Sequence, residues 1–171
     1  FTSIVVVGVD SLGNHYVLDI ERFKTQMISD YFNKILQLHI RWDFRKLRAE
    51  VTAAQEIIVK DLKENYIRRN GLSLAIDEYR PTRQEGIKLE RIEAILQPKY
   101  SNRQMWHYHG GNTQILEEEL VQQNPAHDDI KDALANAVAI CITPTAGRLA
   151  SQAPSWQKPG IINQRFGGMA T

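Results

Sequence analysis

The segment "HDDIKDALANAVAIC", His127 to Cys141, sets three carboxylates, Asp128, Asp129 and Asp132, at the head of an otherwise apolar run. On a helix Asp129 and Asp132 share a face, and Asp128 points about 100° away from Asp129. Asp at a helix start caps free amides and offsets the positive end of the dipole, which accounts for one or two acids. A third exceeds that need. Asp132 also adjoins the apolar run, at the rim of a core where an unpaired carboxylate is costly. A divalent cation would relieve the repulsion, so capping and metal binding both fit the spacing. Glu50, at the end of "KLRAEV", adds an acid at the C-terminal edge of a β-rich run, where sites in α/β sheets form. Hard cations such as Mg²⁺ and Mn²⁺ take a few carboxylates plus water. Two of them about 4 Å apart activate a water and stabilise a phosphodiester leaving oxygen. The sequence holds no Cys/His cluster for zinc, no GxxxxGK loop and no GxSxG elbow.

The elements that must position these acids follow from periodicity. "SIVVVGVD" and "HYVLDI" are β-rich runs joined by "DSLGN", where Gly13 and Asn14 are expected at the positive-φ positions of a tight hairpin. "TQMISDYFNKILQLHIRW" carries helical spacing, and "KLRAEV" reads as a short strand. The helical "AAQEIIVKDLKENYIRRNG" closes at Gly71, and "LSLAIDEY" is a strand. A charged helix over "RQEGIKLERIEAILQ" is expected to stop at Pro98. "QMWHYH" is a strand, "GGN" a turn, and "TQILEEELVQQN" and "DDIKDALANAVAICI" two helices. A hairpin followed by alternating strands and helices makes an α/β domain, a mixed sheet flanked by α-helices. It extends over residues 1–143, followed by a Pro/Gly-rich C-terminal arm over 144–171 without helical or strand period.

Composition bounds the partners. The 171 residues carry a net charge of +1, so nucleic acid would be held by a local basic patch and not by the field of the whole protein. The single Cys141 makes no internal disulfide and reads as a small buried hydrophobe of a reducing compartment. No run approaches the roughly 20 apolar residues that span a bilayer, and an intracellular, soluble protein without a membrane role is expected.

Four segments in order, "FTSIVVVGVDSLGNHYVLDI", "LRAEVTAAQ", "IKLERIEAILQPKY" and "NPAHDDIKDALANAVA", resemble the C-terminal nuclease domain of the large terminase subunit of tailed bacteriophages over about the first 143 residues. The resemblance implies an RNase H-like fold akin to RuvC-type resolvases. It implies an endonuclease that cuts concatemeric double-stranded DNA with Mg²⁺ or Mn²⁺ at the start and end of genome packaging. Glu50 matches the family's strand-end acid, Asp129 the acid opening the last helix, and Asp132 the further acid of resolvases. Asp128 is then an additional ligand or a supporting group. The implied partners are double-stranded DNA, the portal protein, the small terminase subunit and an ATPase domain upstream on the same polypeptide. The implied place of action is the procapsid in the host cytoplasm.

The family's first metal-binding Asp lies on an opening strand upstream of the segment matched by "FTSIVVVGVD". That strand is central in an RNase H-like sheet, so a gap is expected where it would pair. The rival is that Ile4 to Val9 is the opening strand and Asp10 its acid, against the simple reading of Asp10 as a turn residue. Lys88 and Arg91 share a helix face. The resemblance puts them near DNA phosphate, and the plain reading is a solvated face paired with Glu85 and Glu90. Arg68, Arg69, Arg80 and Arg83 form a second basic group that could line a DNA path, and His127 could contact DNA or take part in catalysis. His107 and His109 alternate on one strand face, with Trp106 and Tyr108 opposite. Trp42 and Trp156 read as packing residues. The alternative function is a non-catalytic RNase H-like module that docks DNA or the portal.

Overall fold

A computed structural model describes residues 1–51, 56–81, 88–122, 125 and 127–145. Arg83, Trp156, Glu85 and most of the C-terminal arm lie outside them. The β-branched runs form the expected antiparallel hairpin, β1 (Thr2–Val9) and β2 (His15–Phe23). Its turn spans five residues and departs from the expected one. Gly13 takes φ +82°, whereas Asn14 does not have positive φ. Asp10 organises the loop instead, its carboxylate accepting the Leu12 and Asn14 amides, the Asn14 side-chain amide and the Tyr16 hydroxyl. Along β2 the pairing skips Leu18, since Val6 faces Asp19 and Val7 faces Val17. This bulge breaks the alternation and turns Val17 and Ile20 toward one core.

Helix α1 (Ile28–Trp42) ends on Asp43, whose left-handed conformation (φ 46°) does what glycine does at other helix ends. Trp42 is not a core residue; it is partly exposed and its indole nitrogen donates to Asp19. Strand β3 (Lys46–Glu50) follows, then α2 (Glu56–Asp61), which continues as a π-helical stretch over Leu62–Arg68 and closes at Gly71, φ +63°. Strand β4 (Ala75–Tyr79) pairs parallel to β3. Helix α3 (Lys88–Ser101) runs through Pro98 and does not stop there. A proline three residues from the end costs one intrahelical bond, and the last turn still closes, with the Asn102 amide on the Pro98 carbonyl. Strand β5 (Met105–His107) lies parallel to β2, and α4 (Asn112–Val121) and α5 (Asp129–Ala139) complete the order. Because β5 ends at His107, His109 is not its strand partner; His107 faces Glu117 at 3.3 Å.

The expected helix through Ile142 is shorter. The Ile140 and Cys141 amides bond three residues back, to Ala137 and Val138, which tightens and ends α5. Cys141 is half-buried, and burial pushes its thiol up to about 11, which removes it as a nucleophile at neutral pH. Among the described residues no helix is long and apolar enough to cross a membrane.

This is a mixed α/β fold with two cores. One joins Val17, Ile20 and Met105 of the three-stranded sheet β1-β2-β5 to Ile92, Leu96, Leu116, Ile130, Leu134 and Val138 of α3, α4 and α5. The other joins Phe32 and Ile35 of α1 to Leu62, Ile67 and Leu74 around the two-stranded sheet β3-β4. The two sheets are not hydrogen-bonded to each other. A cleft of about 730 Å³ lies between them, lined along its length by β1 and β3, with α5 residues such as Asn136 and Ala137 and with Ile35, Val59 and Leu62 of α1, α2 and the π-helical stretch. Leu134 is fully buried where α5 crosses the larger core. Leu134→Ala should lower the unfolding free energy by about 3 kcal/mol, read as a shift of the urea midpoint with unchanged slope.

Candidate functional site

At one end of this cleft three elements bring the acids together. Glu50 and Tyr79 are register partners at the C-terminal ends of the parallel strands β3 and β4. Arg91, one turn into α3, connects them to α5. Its guanidinium lies 3.0 Å from Asp132 Oδ1 and 3.5 Å from Glu50 Oε2, and it donates to the Tyr79 hydroxyl at 3.3 Å. Burial opposes its charge, but the Asp132 carboxylate and Tyr79 outweigh this and raise its pKa. Lys88 Nζ, on the same face of α3, lies 2.9 Å from Asp128 Oδ2 and 3.2 Å from Asp132 Oδ2. Here too burial opposes the charge, and the two carboxylates hold the ammonium above its ordinary pKa. The plain reading of a solvated face fails for Arg91, which is mostly buried, whereas Lys88 stays exposed; both pair with the acid cluster. The reason is tertiary, since α3 packs beside α5.

Asp129 stands apart from this network. Its Oδ2 is 3.8 Å from Arg22 of β2, whose register partner is Ser3 at the start of β1. Arg22 in turn lies over the Phe1 ring, 3.8 Å from its centre, and His127 meets the same ring edge-on at 5.7 Å. Because β3 ends and β1 begins at this cluster, the two strands flanking the cleft run in opposite directions.

Capping does not explain the aspartates. Asp128 is the N-cap of α5 but makes no side-chain cap bond. The free amides of Ile130 and Lys131 are taken by Glu119 of α4, whose Oε2 accepts them at 3.0 and 2.8 Å. Asp128, Asp129 and Asp132 are thereby left for other partners. Glu119 is 3 % exposed, and burial raises its pKa despite the two amides; the neighbouring Asp129 carboxylate adds to the rise. Sequence reasoning missed it, although the stripe Ile115, Leu116, Glu119, Leu120 marks it as facing a core.

Glu50 Oε2 and Asp129 Oδ2 are shielded from solvent and accept no hydrogen bond. Each has a cationic neighbour beyond hydrogen-bond contact, Arg91 at 3.5 Å and Arg22 at 3.8 Å, and carboxylates so placed beside one cleft suit a hard cation. Glu50, Asp129 and Asp132 all line that cleft, with Asp128 joined to Asp132 through Lys88. Among the described residues, no three His, Cys, Asp or Glu side chains are grouped so as to hold an ion between them. Arg91 and Lys88 occupy the space between the acids. The donors suit the chemistry of Mg²⁺ or Mn²⁺, although no three of them converge.

Asp10 does not join them. It sits at the far end of the eight-residue β1, roughly 26 Å from the cluster at 3.3 Å per residue. The Asn14 side chain above all holds its pKa below the ordinary value. The rival assignment of Asp10 is thereby corrected. Arg80 is exposed and paired with Glu56 at 2.9 Å, one residue beyond β4.

Glu119→Ala should lower stability by about 1–2 kcal/mol, whereas Glu119→Gln keeps an acceptor for both amides and loses less. A carboxyl whose pKa is raised by folding adds stability below its unfolded pKa, and that contribution is lost as pH rises through the folded value. Wild-type stability should therefore fall relative to Glu119→Gln as pH rises above 4.5, measured by urea denaturation across pH. Comparison of the chain with protein-family models, with curated proteins and with solved structures finds no match in any of the three.

Proposed function

We propose that this chain is the nuclease domain of a viral DNA-packaging motor. In this reading it is an RNase H-like endonuclease of the large-terminase type that cuts concatemeric double-stranded DNA. The observation that carries the reading is the meeting, at one end of the cleft, of a strand-end acid and two acids from the first turn of a helix, with oxygens of Glu50 and Asp129 that are shielded from solvent and accept no hydrogen bond. Glu50, Asp129 and Asp132 would hold Mg²⁺ or Mn²⁺, with Asp128 at the rim. Bound there, the ions would supply an activated water and stabilise the leaving oxygen of a phosphodiester.

The cleft between β1 and β3 supports the same reading. An RNase H-like sheet carries its central opening strand between the hairpin and the next strand, and a strand lying parallel to β3 and antiparallel to β1 would end at the acid cluster. An Asp at that end would supply a further ligand. Lys88 and Arg91 are bound to carboxylates, so their proposed phosphate contacts are secondary to their place in the cluster. The DNA, the portal protein and the small terminase subunit remain the proposed partners.

The test is divalent-dependent nicking of supercoiled plasmid by the full polypeptide that contains this domain. Nicking should require Mn²⁺ or Mg²⁺, drop to background in Glu50→Ala and in Asp129→Ala, and persist in Asp10→Ala. A folded protein that does not cut DNA under any divalent ion, yet binds DNA or portal, would establish the docking alternative in its place.

A further inference from the structure

We propose that Lys88 is a resident counter-cation of the acid cluster, which a divalent ion must displace to bind. This inference deepens the nuclease reading and rests on it. Lys88 Nζ bridges Asp128 Oδ2 and Asp132 Oδ2 at 2.9 and 3.2 Å. A hard divalent ion would take carboxylate oxygens at about 2.1 Å and would repel an ammonium from the same position. The two cations are alternative partners of the same pair of oxygens.

The neighbouring base differs in kind. Arg91 is 11 % exposed, and its fork is held by Asp132, Glu50 and the Tyr79 hydroxyl while its plane lies 5.3 Å from the centre of the Tyr79 ring. It ties β3, β4 and α5 together and stays in place. Lys88 is 44 % exposed and carries a compact charge on a flexible stem. An ion pair that open to water gives way to a divalent competitor at small cost. The arrangement neutralises the acids before metal arrives and frees an ammonium beside the cleft afterwards.

Competition of this kind weakens apparent metal affinity by the fraction of molecules in which the acids are free. With nine molecules in ten paired, the loss is about tenfold. Mn²⁺ alone, titrated calorimetrically, should bind Lys88→Gln about tenfold more tightly than wild type. Acetylation of the Lys88 amine by acetic anhydride, read by mass spectrometry, should rise several-fold when Mn²⁺ saturates the wild-type protein. Arg91→Gln, shown folded by its thermal transition, should bind Mn²⁺ more weakly, because a positioning residue has been lost. A simple field effect of removing a positive charge would strengthen binding in both variants and leave Lys88 acetylation unchanged, and that result overturns the proposal. Equal Mn²⁺ affinity in wild type and Lys88→Gln overturns it as well, while leaving the nuclease reading intact. Absence of Mn²⁺ binding to wild type and variants alike also overturns the proposal and leaves the nuclease reading to the plasmid assay.

Discussion

The arrangement depends on one buried contact, the Glu119 carboxylate on the amides of Ile130 and Lys131. A helix start leaves several amides without intrahelical partners, and most helices satisfy them with their own first residues. Here an acid from the preceding helix does so. The consequence reaches the cleft: α5 begins with three aspartates whose side chains are not consumed by its own backbone. The same contact fixes where α5 starts relative to α4, and so which side chains of α5 reach the larger core and which reach Arg91.

From that anchor the cluster is assembled by charge. Arg91 draws together the ends of β3, β4 and α5, three elements that share no local sequence. The carboxylates of Glu50, Asp128, Asp129 and Asp132 face the side chains of Arg22, Lys88 and Arg91. Packing reinforces this geometry. Helix α5 lies along β1 and lines the cleft opposite residues of α1 and α2, so the two half-sheets share a layer of helix without sharing a strand.

The cleft gives the proposed function its structural sense. Two strand edges with no further partner among the described residues, β1 and β3, belong to separate sheets and run in opposite directions along the cleft. The acids gather at one end of that cleft, and the hairpin turn with Asp10 lies at the other.

Much of the fold was legible in the chain itself. Apolar periods predicted every helix and strand described, because side-chain burial repeats every two residues in strands and about every 3.6 in helices. The acids of the cluster were legible too, since Glu50 closes a β-rich run and Asp128, Asp129 and Asp132 open an apolar helix. What only tertiary structure decided were the partners. That Glu119 and not an aspartate caps α5, that Lys88 and Arg91 meet acids 40 or more residues away, and that Asp10 belongs to the turn all depend on packing between distant elements. Local spacing cannot encode those contacts, because a charged side chain finds its partner only after burial has set which helix lies beside which strand.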